Sequence, residues 1–288
     1  MARVSQITII GLGLIGGSLG LAIRQKGLAR RVVGLSRSRA TVREAIRRGL
    51  IDWGTTDPGA ALREADLVVV ATPVDEIVPT IRRSRPFLRP GCVVTDVGST
   101  KAEVVRAAER AVPKHAVFVG AHPLAGSHAR GVRAAQRGLF HGSTCIVTRT
   151  PRTRADALGI VKALWRPLVG RVIVMTPAAH DQRLAEISHL PHALAFGLMH
   201  ATTSQALALA PRSFLDATRV AMSDPDVWDD IFVSNRAAIS AALVRLERSL
   251  KTFRAGLRRD RSSLKRYLQH AQQRRHTLHD STDQRRSS

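Results

Sequence analysis

ITIIGLGLIGGSLGLAIRQKG, residues 7–27, decides the fold. ITII reads as a buried strand, and the glycine-rich turn after it opens a helix that Gly27 closes as its C-cap. Gly11, Gly13 and Gly16 stand in the spacing GxGxxG. The first glycine permits the tight turn, the second lets backbone approach a pyrophosphate, and the third lets the helix pack on a sheet. An anionic diphosphate then meets the positive end of the helix. Gly11, Leu12, Gly13, Leu14, Ile15 and Gly16 are therefore the candidate dinucleotide loop.

Working outward, RVVGLSR is the second strand. A site for NAD carries an acidic residue about 20 positions past the glycines, to hold the ribose 2′-hydroxyl. Ser36 and Arg37 stand there instead. A hydroxyl and a guanidinium suit a 2′-phosphate, so NADP is the expected cofactor, with NAD as the alternative. ATP (71–73) and TDVGSTK (95–101) end the next strands, and such carboxyl-end loops are where ligands bind in open parallel sheets. Thr72 and Pro73 join the expected cofactor site. HAVFVGAHP reads as one further strand ending in the loop HPLAGS, which brings His122 toward Ser99 and makes it a candidate base.

Apolar strands alternate with helices as far as Thr176, the pattern of a mostly parallel sheet covered on both faces. DEIVPTIRRSRPFL reads as a helix broken by proline. No strand pattern follows. Residues 180–209 and 226–270 carry helical periodicity, with an apolar seam of Ile239, Leu243, Leu246, Leu250, Phe253 and Leu257 along one long helix. The expected organisation is a Rossmann-type dinucleotide-binding domain over 1–177 and an all-α domain over 178–288, frayed from about 272. A single-seam helix often packs on a second copy, so a homodimer is expected.

The chain has 288 residues, a net charge of +23 and two cysteines. No apolar run reaches the roughly 20 residues that span a bilayer, and no signal peptide is evident, so a cytoplasmic protein with two free buried thiols is expected. The charge raises nucleic-acid binding as a rival. Residues 251–288 hold eleven Lys/Arg against three Asp, but Phe253 and Tyr267 are their only aromatics, too few for a stacking platform. The basic residues are otherwise spread along the chain, so no specific nucleic-acid partner is expected.

In the helical part, HDQRLAEISHLPH places Ser188, His189 and His192 near one another, with Pro191 beside them. Two histidines at i, i+3 without a third ligand do not make a closed metal site, and none is expected. FLDATRVAMSDPDVW carries Arg219, flanked by Asp216, which taken by itself reads as a solvated helix charge.

Together GLGLIGGSL, ATP, TDVGSTK, HPLAGSHARG, HDQ, SHLPH, DATR, SDP with Trp228, and Asn235-Arg236 resemble, in content and order, the prephenate/arogenate dehydrogenases. The resemblance implies a dinucleotide-binding domain, a helical dimerisation domain, and oxidative decarboxylation of prephenate to 4-hydroxyphenylpyruvate, or of arogenate to tyrosine, with NAD(P). It implies that His122 accepts the C4 hydroxyl proton and that Ser99 hydrogen-bonds that hydroxyl and His122. Arg219 would clamp a substrate carboxylate, and Ser188, His192 and Ser127 would line the pocket. His128 replaces a Glu common in that loop, which puts carboxylate gating in doubt, and no regulatory domain is expected after the helices. His192 points to prephenate, whereas the NADP signal points to arogenate. Other two-domain hydroxyacid or imine reductases rely on a helical-domain Lys, and residues 178–240 contain none.

Overall fold

A computed structural model describes residues 4–127 and 129–283. Six parallel strands form the first sheet: β1 (Val4–Ile10), β2 (Ala29–Leu35), β3 (Trp53–Thr55), β4 (Leu67–Val70), β5 (Val93–Asp96) and β6 (Val117–Val119). Their order is β3-β2-β1-β4-β5-β6, so β1 and β4 lie side by side where the winding reverses. Helices α1 (Leu14–Lys26), α2 (Arg39–Arg47), α3 (Pro58–Leu62), α4 (Val74–Ser84) and α5 (Ala102–Ala111) fall between the strands. Successive strand residues point to opposite faces. Ile9, Val32 and Val69 enter one core and Ile10, Val33 and Val70 the other, which is why the strands read as unbroken apolar runs. Both cysteines are buried and free, and burial pushes the Cys92 thiol up to about 12.

HAVFVGAHP is two strands rather than the expected one. The chain leaves the first sheet after Val119. A Cβ on Gly120 would lie 2.6 Å from Thr148 Oγ1 and 2.7 Å from Val105 Cγ2, so any side chain at the crossing point would force those neighbours to shift. Residues beyond it form a second sheet of β7 (Ala121–Pro123), β8 (Thr144–Thr148) and β9 (Arg171–Met175). In it β7 runs antiparallel to β8, β8 parallel to β9, and α6 (Ala155–Trp165) links the last two. Strand β3 and helix α3 go unread in the sequence because each is a single short turn or pairing. Pro79 sits within α4, and the helix gives way at the 3₁₀ turn Arg85–Phe87.

From Thr176 the described chain is helical: α7 (Pro177–Leu184), a π-helical turn (Ala185–His189), α8 (Leu190–Ala201), α9 (Ser204–Leu207), α10 (Arg212–Thr218), α11 (Pro225–Ser234), α12 (Arg236–Arg259) and α13 (Arg261–Asp283). Two compact units result, dividing after Arg236. In the second, α12 folds on α13 through a Phe253–Tyr267 ring contact at 5.6 Å and a Ser249–Tyr267 hydrogen bond of 2.7 Å. Phe253 of the apolar seam is thus partnered inside the chain, while Leu250 and Leu257 stay exposed. Helix α13 runs past residue 272 to Asp283, where AQQRRHTL offers no Gly or Pro to break it. Among the described residues, no helix is long and apolar enough to cross a membrane.

Candidate active site

The glycine turn builds a cleft by backbone shape. Gly11 has φ +95°, and a Cβ there would lie 2.4 Å from Ala71 O; a Cβ on Gly16 would lie 1.9 Å from Gly11 O. Around Gly13, by contrast, the space is open, and it caps α1 with no side-chain hydrogen bond and no acidic residue in the first turn. The free N–H groups and helix dipole therefore face open space that an anion can fill. A cleft of about 630 Å³ extends from Gly11 and Gly13 past Ser36 and Arg37 on one side and Thr72 and Pro73 on the other. Thr72 Oγ1 is buried there with no hydrogen-bond partner among the described residues. The open N-terminus, the unsatisfied hydroxyl and the exposed Arg37 fit a phosphate-bearing dinucleotide. Glu76 also lines the cleft, but its carboxylate is taken by Arg83 at 2.7 Å. Leu12 and Leu14 are buried, so they shape the loop from beneath.

The second sheet carries His122, which is half-buried on β7. Its Nδ1 lies 2.9 Å from His180 Nε2. His180 is fully buried, and its Nδ1 lies 2.7 Å from Asp181 Oδ1. Asp181 also accepts the Lys101 and Ala102 amides, each at 2.7 Å, and so caps α5 from 80 residues away in sequence. Burial would raise the Asp181 carboxyl, but His180 and the two amides outweigh it and hold the group below its usual range. Burial pushes His122 well below the ordinary imidazole value, helped by His180, Lys101 and His189. His180 is lowered too, chiefly by burial and against the pull of Asp181.

Beneath this row lies a second buried pair. Lys101 donates to Asp96 Oδ2 at 2.5 Å with both side chains fully buried. Asp96 ends β5 and accepts the Gly98 amide at 2.9 Å and the Ala121 amide at 3.2 Å, so it fixes the turn before Ser99 and the start of β7 together. Ser99 is half-buried in that turn. Among the described residues no hydrogen bond joins Ser99 to His122, whose Nδ1 is already engaged by His180.

The π turn gathers the helical residues, as such turns often do at functional sites. His192 Nδ1 donates to Ser188 O at 2.9 Å, and its ring stacks on Trp228 of α11 at 3.5 Å and 20°. Burial lowers His192, and the Arg219 charge adds to this. Arg219 is exposed on the 3₁₀ turn Arg219–Met222. Asp216 pairs with Arg212 at 4.0 Å instead of Arg219. Buried His189 is lowered to about 4 by burial, and its Nδ1 lies 3.1 Å from Asn235 Nδ2. Ser127 is exposed, and its hydroxyl accepts the Ala129 amide at 3.1 Å. Arg130 of the same loop pairs with Asp224 ahead of α11. His128 lies outside the described residues.

Sequence reading singled out His122, Ser99, Ser188, His192 and Arg219. It missed His180, Asp181, Asp96, Lys101 and Trp228 as parts of the site. The signals were present: HDQ, the Asp and Lys of TDVGSTK, and the Trp after SDP were all quoted motifs without a physical role.

Residues 19–174 match the family model described as "Prephenate dehydrogenase, nucleotide-binding domain", and residues 176–270 the one described as "Prephenate dehydrogenase, dimerization domain". The chain is 35% identical over 240 residues to the prephenate dehydrogenase of Bacillus subtilis, covering 81% of this chain and 65% of that relative's length. A solved prephenate dehydrogenase from A. aeolicus, in complex with hydroxyphenyl propionate and NAD+, superposes with a TM-score of 0.88 at 32% identity, over 95% of this chain and 98% of that one. The Synechocystis arogenate dehydrogenase gives 0.82 at 30% identity, over 95% and 99%.

Proposed function

The chain belongs to the prephenate dehydrogenase family, and from that premise we propose that it oxidatively decarboxylates prephenate to 4-hydroxyphenylpyruvate with NADP or NAD. The observation that carries this is His122, held with one ring nitrogen engaged by His180 and the other available, on a strand pinned to the end of β5. The bound cofactor supplies a hydride acceptor. His122 takes the C4 hydroxyl proton as the C4–H bond gives up its electrons as hydride. A ketone at C4 then draws the electrons of the breaking C1–carboxylate bond into the ring, CO2 leaves, and the aromatic phenolate recovers the proton from His122. No net proton is released.

Other side chains hold the substrate. Arg219 has no ion pair among the described residues, and its charge acts on His192, which suits it to a bidentate grip on a carboxylate. His192 on its Trp228 platform, with Ser188, lines the ring from the helical side, and Ser99 meets the C4 hydroxyl from the turn after β5. Ser127 would join the pocket only if its exposed loop closes over the substrate. Ser36 and Arg37 favour NADP, since an exposed guanidinium with no ion pair among the described residues suits a 2′-phosphate.

The functional division of the chain is drawn near residue 177, with the cofactor held before it and substrate contacts and dimerisation after it. A homodimer is supported by the dimerization-domain match and by exposed Ile187, Leu194, Leu198 and Leu215. The free buried thiols support a cytoplasmic location. Arogenate oxidation is the second reading, favoured by the Synechocystis superposition and by Arg37. Following NADP and NAD reduction with prephenate and with arogenate decides between them. Prephenate with NADP is expected to give the highest kcat/KM. Higher kcat/KM with arogenate selects the second reading, and no reduction with either substrate refutes both.

A further inference from the structure

We propose that His180 and Asp181 are positioning residues for His122: they fix its ring with Nδ1 protonated and Nε2 bare, and they supply the countercharge when Nε2 takes a proton. The proposal rests on reading His122 as the proton acceptor and deepens it.

The direction of the hydrogen-bond row follows from its far end. An ionised carboxylate only accepts. Asp181 Oδ1 receives the Lys101 amide and lies 2.7 Å from His180 Nδ1, so that nitrogen carries the hydrogen. The neutral ring of His180 then has a bare Nε2, which can only accept. His122 Nδ1, 2.9 Å away, must donate to it. A neutral His122 is left with Nε2 unprotonated, the state a base requires. Reversing the row would need a protonated Asp181. The Ala102 and Lys101 amides at the N-terminus of α5 oppose that by binding both carboxylate oxygens, which also blocks rotation of the group.

The same row answers an electrostatic problem. His180 from α7 contacts the His122 ring, and it, Lys101 from the turn before α5 and His189 from the π turn each disfavour a cation there. Lys101 is itself neutralised by Asp96. When the substrate O–H bond breaks, its electron pair stays on oxygen and the proton forms a bond to His122 Nε2. The imidazolium donates through Nδ1 to His180, which donates to Asp181. The cation and the carboxylate then sum to zero across the row. His180 holds the two ends in line and need not itself change protonation.

The test begins without substrate. In the full chain with 15N-labelled histidine, His122 should show Nδ1 protonated and Nε2 bare, and His180→Leu should abolish that single tautomer. A wild-type His122 with Nε2 protonated would overturn the proposal. In turnover, His180→Leu should lower kcat about 10²-fold with KM for substrate and cofactor within a few-fold of wild type. His180→Gln retains a side-chain oxygen that can accept from Nδ1, and should recover most of that loss. The His122→Asn/His180→Leu pair should be no slower than His122→Asn alone, because His180 acts through His122. Multiplied losses in the double variant, or no rescue by Gln in a folded protein, would contradict it. If the wild type oxidises neither prephenate nor arogenate, the assigned reaction fails, and the 15N tautomer still decides the positioning claim.

Discussion

The cofactor cleft and the His122 row are built from different material. The cleft is made by backbone: three glycines, an uncapped helix end and the edge of β4, with Gly11 and Gly16 packed where no Cβ fits. The row is made by side chains from distant segments, since His122 meets His180 across 58 positions and Asp181 reaches the start of α5 across 80. A site made of backbone shape is written locally, because each glycine is required where it stands. A site made of side-chain contacts is written only in the fold. The first kind tolerates loss of a side chain in the second, and variants test whether the two are separable in function.

The largest effect is expected at His122. His122→Asn should lower kcat by about 10² to 10⁴, the usual contribution of a positioned base, and leave cofactor affinity unchanged. Paired loss of cofactor binding, measured by nucleotide fluorescence, would show that the two regions are not separable. Arg219→Ala comes next, with kcat/KM for prephenate down about 10²-fold and cofactor KM unaffected. Arg219→Lys should restore only part, since an ammonium lacks the planar fork. Unchanged KM with a lower Tm would move Arg219 out of the pocket. On the cleft side, Arg37→Ala should raise KM for NADP about 10-fold or more and leave that for NAD nearly unchanged. Equal effects on both cofactors would remove the 2′-phosphate contact.

The smallest effect is thermodynamic and belongs to the side-chain region. His189 is lowered to about 4 in the folded protein. The unfolded chain therefore binds more protons below pH about 6.5, and stability is lost as pH falls from there through the folded value. The loss from this group is on the order of 3 kcal/mol at most. Tm should decline across that window in the wild type and less steeply in His189→Gln. Parallel declines would remove His189 as a source of acid sensitivity.

The contrast also explains what the sequence allowed to be read. The strand–glycine–helix of residues 7–27, the alternation of strands and helices, and the all-helical remainder were legible because each rests on local periodicity. HAVFVGAHP read as one strand because its apolar run is continuous. Only the strand pairing, β6 with β5 and β7 with β8, reveals that the chain changes sheets at Gly120. That crossing sets His122 on β7, opposite Ile146 of β8, rather than at the end of a strand in the main sheet. His180 and Asp181 went unassigned because nothing local distinguishes a histidine–aspartate pair on a helix from a solvated one. Lys101 reads as a surface lysine until the fold buries it against Asp96. Ser99 was legible by motif, whereas the His180 contact to His122 Nδ1 joins residues 58 positions apart and has no local signal.

The central claim is that the fold keeps His122 neutral and ready to take a proton. The pH dependence of kcat/KM for prephenate with saturating cofactor tests it most directly. A base must be unprotonated in the free enzyme, and burial, helped by His180, Lys101 and His189, holds His122 well below the ordinary imidazole value. Activity should therefore persist as pH falls past about 6.5 and decline only at clearly lower pH, with the acid limb lost altogether from the residual activity of His122→Asn. An acid limb at or above about 6.5, or one that survives in His122→Asn, would contradict the account.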